Sequence, residues 1–256
     1  MFKKLSFSGK LTFFVISFSV FFYWFHELSG YYNNKILLAD VGGLPWLYAS
    51  MGTLFSILAG FIIQKEWENW NNLIDSVKGE VEELRELWLW SQHFPKEIKD
   101  SLRNYIIDYL NVMIENGLNI GEKGERSESI EKNISNIRNL IFNISQDHPQ
   151  LIGTTFIIFN KLIDKRNRRI SSSSHHVPEA IKNTIFFSTI LMISLSFFIG
   201  VKNLWLDYLF TLSVSLMTFV LYMVIEDINN PLLPGSWHLT TDDYKSLLSE
   251  ISTNKN

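Results

Sequence analysis

The stretch WLYASMGTLFSILAGFIIQKEWENWNNLIDSVKGEVEELRELWLW, residues 46–90, changes its chemistry halfway along without changing its period. Residues 46–63 contain no charged side chain, and their length suits an α-helix crossing a hydrocarbon core of about 30 Å. From there Ile63, Trp67, Trp70, Ile74, Val77, Val81, Leu84 and Trp88 recur at alternating spacings of four and three, a heptad stripe. Traced backward, the same line passes through Gly52, Ser56 and Gly60, small residues that let helix backbones approach closely inside a bilayer. The spacing predicts one long helix from about Trp46 to Trp90, stopped near His93-Phe94-Pro95. Glu80, Glu82, Glu83, Arg85 and Glu86 are expected off the stripe, in water. The stripe either packs on the chain's own next helices or joins copies of the chain.

Working outward, three more apolar runs of membrane length appear at Leu11–Leu28, Thr184–Val201 and Leu204–Ile225, and about 120 polar residues separate the two pairs. A whole-chain average of 46% hydrophobic and 19% charged residues conceals this segregation. The predicted fold class is an all-α membrane protein: four transmembrane helices in two hairpins with a cytoplasmic helical bundle. The expected divisions are a first hairpin over 1–63, a cytoplasmic domain over 64–177, a second hairpin over 178–225 and a cytoplasmic tail over 226–256. Lys3, Lys4 and Lys10 precede the first run, and His26-Glu27-Leu28-Ser29-Gly30 offers no small-residue cleavage pattern, so that run reads as an uncleaved anchor. By the positive-inside rule both termini lie in the cytoplasm of a cell (inner) membrane protein. Trp24, Trp46 and Trp205 fall at segment ends, where amphipathic rings favour the interface.

The central block reads as helix throughout. Pro95 suits a first helical position, and Ile98, Leu102, Tyr105, Tyr109 and Met113 form a stripe ending at Asn116-Gly117. Gly121–Ser129 is a polar loop. Ile130, Ile134, Ile137, Ile141 and Ile144 repeat the heptad spacing, and Asp147-His148-Pro149 ends that helix and starts one over about 149–171. The run from Ser171 to Pro178, with His175-His176, reads as a hinge.

No catalytic motif, metal-ligand spacing or cofactor fingerprint is present, so no enzyme, cofactor or metal site is expected. With no cysteine and a net charge of −3, neither disulfides nor a nucleic-acid partner is expected. Asp207, Glu226 and Asp227 lie near segment ends, within reach of water. The strongest charge feature is Lys161, Lys165, Arg166, Arg168 and Arg169. Cations collect there either for topology and lipid phosphate, or as an anion vestibule around the axis of an oligomer. If Gly52, Ser56 and Gly60 are the helix-packing face, then Met51, Leu54, Phe55, Leu58 and Ile62 are left for lipid or for a hydrophobic pore constriction that gates by dewetting.

Several short motifs point to a family. Gln64-Lys65-Glu66 after the long second crossing, Leu102-Arg103-Asn104-Tyr105, Arg166-Asn167-Arg168-Arg169-Ile170 before Val177-Pro178, and Ile225-Glu226-Asp227-Ile228-Asn229-Asn230-Pro231-Leu232 with Gly235 together resemble the bacterial bestrophin-like family over about 45–250. The resemblance implies a subunit with four crossings that forms a homo-oligomer, a pentamer, in the lipid bilayer. It further implies a pore lined by the second crossing that conducts inorganic ions, chloride in the animal members. Leu232 departs from the family's aromatic residue, and Leu233-Pro234 lengthens the approach to Gly235. Asp242-Asp243 is shorter than the acidic run with which animal members bind calcium, and two adjacent carboxylates supply too few oxygens for that ion. Two functions stay open: an oligomeric anion channel, or a membrane-anchored helical scaffold without conductance.

Overall fold

The computed structural model describes residues 7–31, 43–116, 128–174, 177–199, 203–229 and 237–253. Their regular structure is helical: α1 (Phe7–Tyr31), α2 (Leu44–Trp90), a 3-10 turn (Ser91–His93), α3 (Lys96–Asn116), α4 (Glu128–Asp147), α5 (Pro149–Ser173), α6 (Glu179–Ser196), α7 (Leu204–Ile228) and α8 (Asp242–Thr253). The His175-His176 hinge, most of the 121–129 loop and the Pro231–Gly235 segment lie outside the described residues. Two compact units form, one from residues 1–67 with 176–237, the other from 68–175 with 238–256.

In the first unit α7 packs against both α1 and α6. One core gathers Phe55, Ala59 and Ile62 of α2 with Val177, Ile185, Met192 and Ile225. A second joins Phe18 and Phe22 of α1 to Phe197, with Tyr208 and Leu212 against them. Aromatic rings carry much of this contact; Phe14 stacks on Phe219 at 4.2 Å between centroids. Polar groups pin the same helices: the Ser19 and Tyr208 hydroxyls sit 2.8 Å apart, Tyr48 donates to the Met192 carbonyl, and Asn229 Oδ1 accepts the Val177 N–H. Asn203 caps α7 by accepting from the N–H groups of Trp205 and Leu206. α1, α2 and α7 are long and apolar enough to cross a membrane. α6 begins a turn before the apolar run, carries Glu179 and Lys182 there, and stops at Ser196, giving about 27 Å of helix at 1.5 Å per residue.

In the second unit α4 packs between α3 and α5, and α8 packs on α3. The five isoleucines of the α4 stripe are all buried, as are Leu102, Ile106, Tyr109, Leu110 and Met113 of α3. On α2 the buried face is broader than one heptad line. Val77, Val81, Leu84 and Trp88 are buried, and so are Leu73, Ser76, Glu80 and Leu87 beside them. Glu80 is therefore in the core and not in water, because this part of α2 is covered on more than one side. The chain leaves α2 through the 3-10 turn. Phe94 is extended, as a residue before proline prefers, and α3 starts after Pro95. His148 breaks the α4–α5 junction, with Pro149 opening the new helix.

The C-terminal helix α8 buries Tyr244, Leu247 and Ile251 completely. Arg85 reaches Glu250 at 3.0 Å, and Arg103 donates to the Ile251 carbonyl. Ile251→Ala should cost about 2–5 kcal/mol. Limited proteolysis of the full chain should then cut at 237–256 before any other site.

Asp242 starts α8, and the Thr240 hydroxyl with Lys245 holds its carboxyl below the ordinary 3.8. A depressed carboxylate favours the docked helix above its free value and stops doing so as pH falls through the lower one. The protection of α8 amides, relative to their intrinsic exchange rates, should therefore fall below about pH 4. Asp242→Asn should flatten that dependence.

Candidate functional site

The long helix α2 shows two faces within the first unit. Tyr48, Met51, Phe55, Leu58, Ala59 and Ile62 turn into the core. Ala49, Ser50, Thr53, Leu54, Ser56, Ile57, Gly60, Phe61 and Gln64 remain exposed. Six of these nine are small or polar, against one of seven on the exposed side of α7 between Leu204 and Met217. Ser50 and Thr53 donate to their own helix at Trp46 and Ala49, which leaves hydroxyl oxygens outward without orphaned protons.

This arrangement redistributes the constriction candidates. Phe55 and Ile62 are 6% and 8% exposed and belong to the core, with Met51 and Leu58 packed against it; Leu54 alone stands outward, at 69%. The helix-packing residues divide too. Gly52 meets Met192, whose Cε lies 3.3 Å from where a Cβ would be, while a Cβ at Gly60 would meet no other group within 4 Å and Ser56 is exposed. Sequence spacing missed Ile57 and Phe61, which share Leu54's side of the helix and are 52% and 68% exposed.

Near the N-terminal end of α7, Asp207 is buried at 4% exposure with His26 Nε2 3.5 Å from its carboxylate. It lies inside the unit and not in water, because α1 covers that end of α7. Glu226 faces Lys182 at 3.8 Å.

A buried polar cluster occupies the second unit. Arg169 of α5 donates through Nε to Glu80 at 2.7 Å, Tyr109 of α3 donates to the other Glu80 oxygen, and Arg169 Nη2 lies 3.8 Å from Met113 Sδ. Glu80, Arg169, Tyr109 and Tyr244 are each no more than 1% exposed. Burial disfavours the Arg169 charge, yet the adjacent Glu80 carboxylate and the two tyrosines outweigh it and hold its pKa well above the ordinary value. Burial first, then the Glu80 charge, pushes both tyrosine hydroxyls up, so they remain protonated. No local sequence signal marks this cluster.

The basic run consequently splits. Arg166 is 2% exposed and pairs with Glu131, and Arg169 is spent on Glu80, so neither offers its charge to solution. One residue in three or four of a helix faces inward, and positions 166 and 169 share that side. Lys161 and Arg168 are exposed and Lys165 is half-buried; Arg168 reaches Asp164 at 3.0 Å, a surface pair worth about 1 kcal/mol or less. Asp242 and Asp243, exposed, open α8.

The fold has counterparts of known structure. Crystal structures of point variants of a bacterial bestrophin homologue from Klebsiella pneumoniae match it. One aligns at 13% identity with a TM-score of 0.74, covering 95% of this chain and 98% of that one. A second aligns at 12% identity and 0.64, covering 80% and 86%. At such identities the likeness establishes the fold. No curated protein sequence matches. The family profile of the bestrophin-like domain matches residues 12–233, and with the shared helical fold this makes the chain a member of the bestrophin-like family.

Proposed function

We propose that the protein is a pore-forming subunit of an oligomeric ion channel in the cell membrane, with the exposed face of α2 around the axis. The observation that supports this most is the outward line Ser50, Leu54, Ile57 and Phe61 on an apolar helix whose other face is already used inside the unit. Small and hydroxyl-bearing residues between bulky apolar ones suit a wettable wall with a hydrophobic constriction, and suit lipid poorly. Leu54, Ile57 and Phe61 take the constriction role, in place of Phe55 and Ile62.

In this reading four segments cross the bilayer, both termini are cytoplasmic, and the helical bundle of the second unit is cytoplasmic too. Lys161, Lys165 and Arg168 would raise the local anion concentration at its surface, which favours chloride over sodium. Mass determination in detergent, followed by chloride and sodium flux from liposomes, tests the reading. A ring of several copies, expected to be five, with chloride flux supports it. A stable monomer without flux refutes it and leaves the membrane-anchored scaffold.

A further inference from the structure

We propose that a cleft in the second unit, between α2 and α5, binds a phosphate-bearing anion through Lys165, Arg168, Asn72, Ser171 and Ser172. These side chains line an open recess of about 430 Å³. The position of Lys165 is built into α2. A Cβ at Gly79 would lie 2.7 Å from Lys165 Cδ and 2.9 Å from Cε, so an alanine there would push the flexible lysine stem aside. A glycine inside a helix costs about 1 kcal/mol relative to alanine. Here the vacated space is filled by the stem of a lysine that lines the cleft.

Among the described residues Lys165 makes no ion pair within 4 Å, although its charge acts on Glu83, and the side chains of Asn72, Ser171 and Ser172 make no hydrogen bond. Arg168 uses Nε on Asp164 and keeps its terminal N–H groups. A lysine point charge, an arginine fork, an amide and two hydroxyls exceed what a halide needs, and match the several acceptor oxygens of a phosphate. Asp75 is the one carboxylate in the lining, and its charge opposes such a ligand. That opposition gives the proposal a sign that can be tested. The phosphate is either free or the headgroup of a phospholipid. The site extends the reading of the basic run as anion-facing and does not depend on conduction.

The test is the thermal stability of the purified full chain in detergent, titrated with inorganic phosphate against chloride at matched ionic strength. Parallel titrations use dioctanoyl phosphatidylglycerol against dioctanoylglycerol, which lacks phosphate. A phosphate-bearing probe should raise the melting temperature saturably. Lys165→Gln should shift the midpoint concentration up by about tenfold, the scale of one charge-assisted hydrogen bond. Gly79→Ala should weaken binding in the same direction while keeping the charge, Asp75→Asn should tighten it, and Lys132→Gln, exposed on α4 outside the cleft, should leave it unchanged. A response to inorganic phosphate identifies free phosphate as sufficient, and a response to the phospholipid alone identifies a headgroup. The proposal is overturned if no phosphate-bearing probe acts, if Lys165→Gln behaves as Lys132→Gln, or if Asp75→Asn weakens binding. These readouts are independent of flux, so a channel that fails to conduct leaves them standing.

Discussion

Arg169→Met is expected to destabilise the second unit by about 3–5 kcal/mol, because it strands the fully buried Glu80 carboxylate without its charge partner. The pair is fully enclosed, and the neutral Tyr109 hydroxyl also donates to Glu80. Attraction between the two charges is large there, but so was the cost of removing both from water. The informative experiment is therefore a cycle. Glu80→Leu with Arg169→Met should recover most of what either single change loses, since two apolar side chains carry no desolvation cost. Chemical unfolding of the full chain, followed through the tryptophans, would measure all four corners. If the double variant is no more stable than the worse single variant, the loss is one of packing and the electrostatic account fails. Tyr109→Phe removes one donor from the carboxylate and should cost about 1–3 kcal/mol.

The second large effect concerns conduction. Alanine at Leu54, Ile57 and Phe61 together should raise ion current on the order of tenfold, because a narrow apolar ring resists wetting and smaller side chains widen it. Phe55→Ala and Ile62→Ala should act differently. Both residues belong to the core of the first unit, so their truncation should lower stability with little direct effect on conductance. Single-channel recording of the two sets separates the alternatives. Equal currents from both would remove the outward face of α2 from the pore.

Much of this architecture was readable before any coordinates. Periodicity predicted a helix from about Trp46 to Trp90, and α2 runs Leu44–Trp90. The α4 isoleucines, chosen on spacing alone, are all within 2% of full burial. Long helices with clear periods reveal themselves because every turn repeats the same signal. α8 does not, since twelve residues with four apolar positions are marginal as a free helix and gain stability only from what they dock on. Glu80 was misread for a related reason. Its partner lies 89 residues away on α5, and nothing local distinguishes it from Glu82 or Glu86, which are exposed. The same gap explains Arg166 and Arg169, whose sequence neighbours suggested a charged surface while helical rotation turned them inward. Spacing also shows α2 as two-faced but does not say which face meets Met192, so Phe55 and Ile62 read as outward although they pack in the core.

The two units are interleaved along the chain, and that sets an order of manufacture. Residues 68–175 leave the ribosome early, with α3, α4 and α5 complete, yet the surface that receives Tyr244, Leu247 and Ile251 must wait while α6 and α7 are made. During that interval the bundle displays an unfilled apolar site. A chain whose synthesis stalls before α8 would thus be recognisable to quality control as unfinished, even with every membrane-length segment already in place.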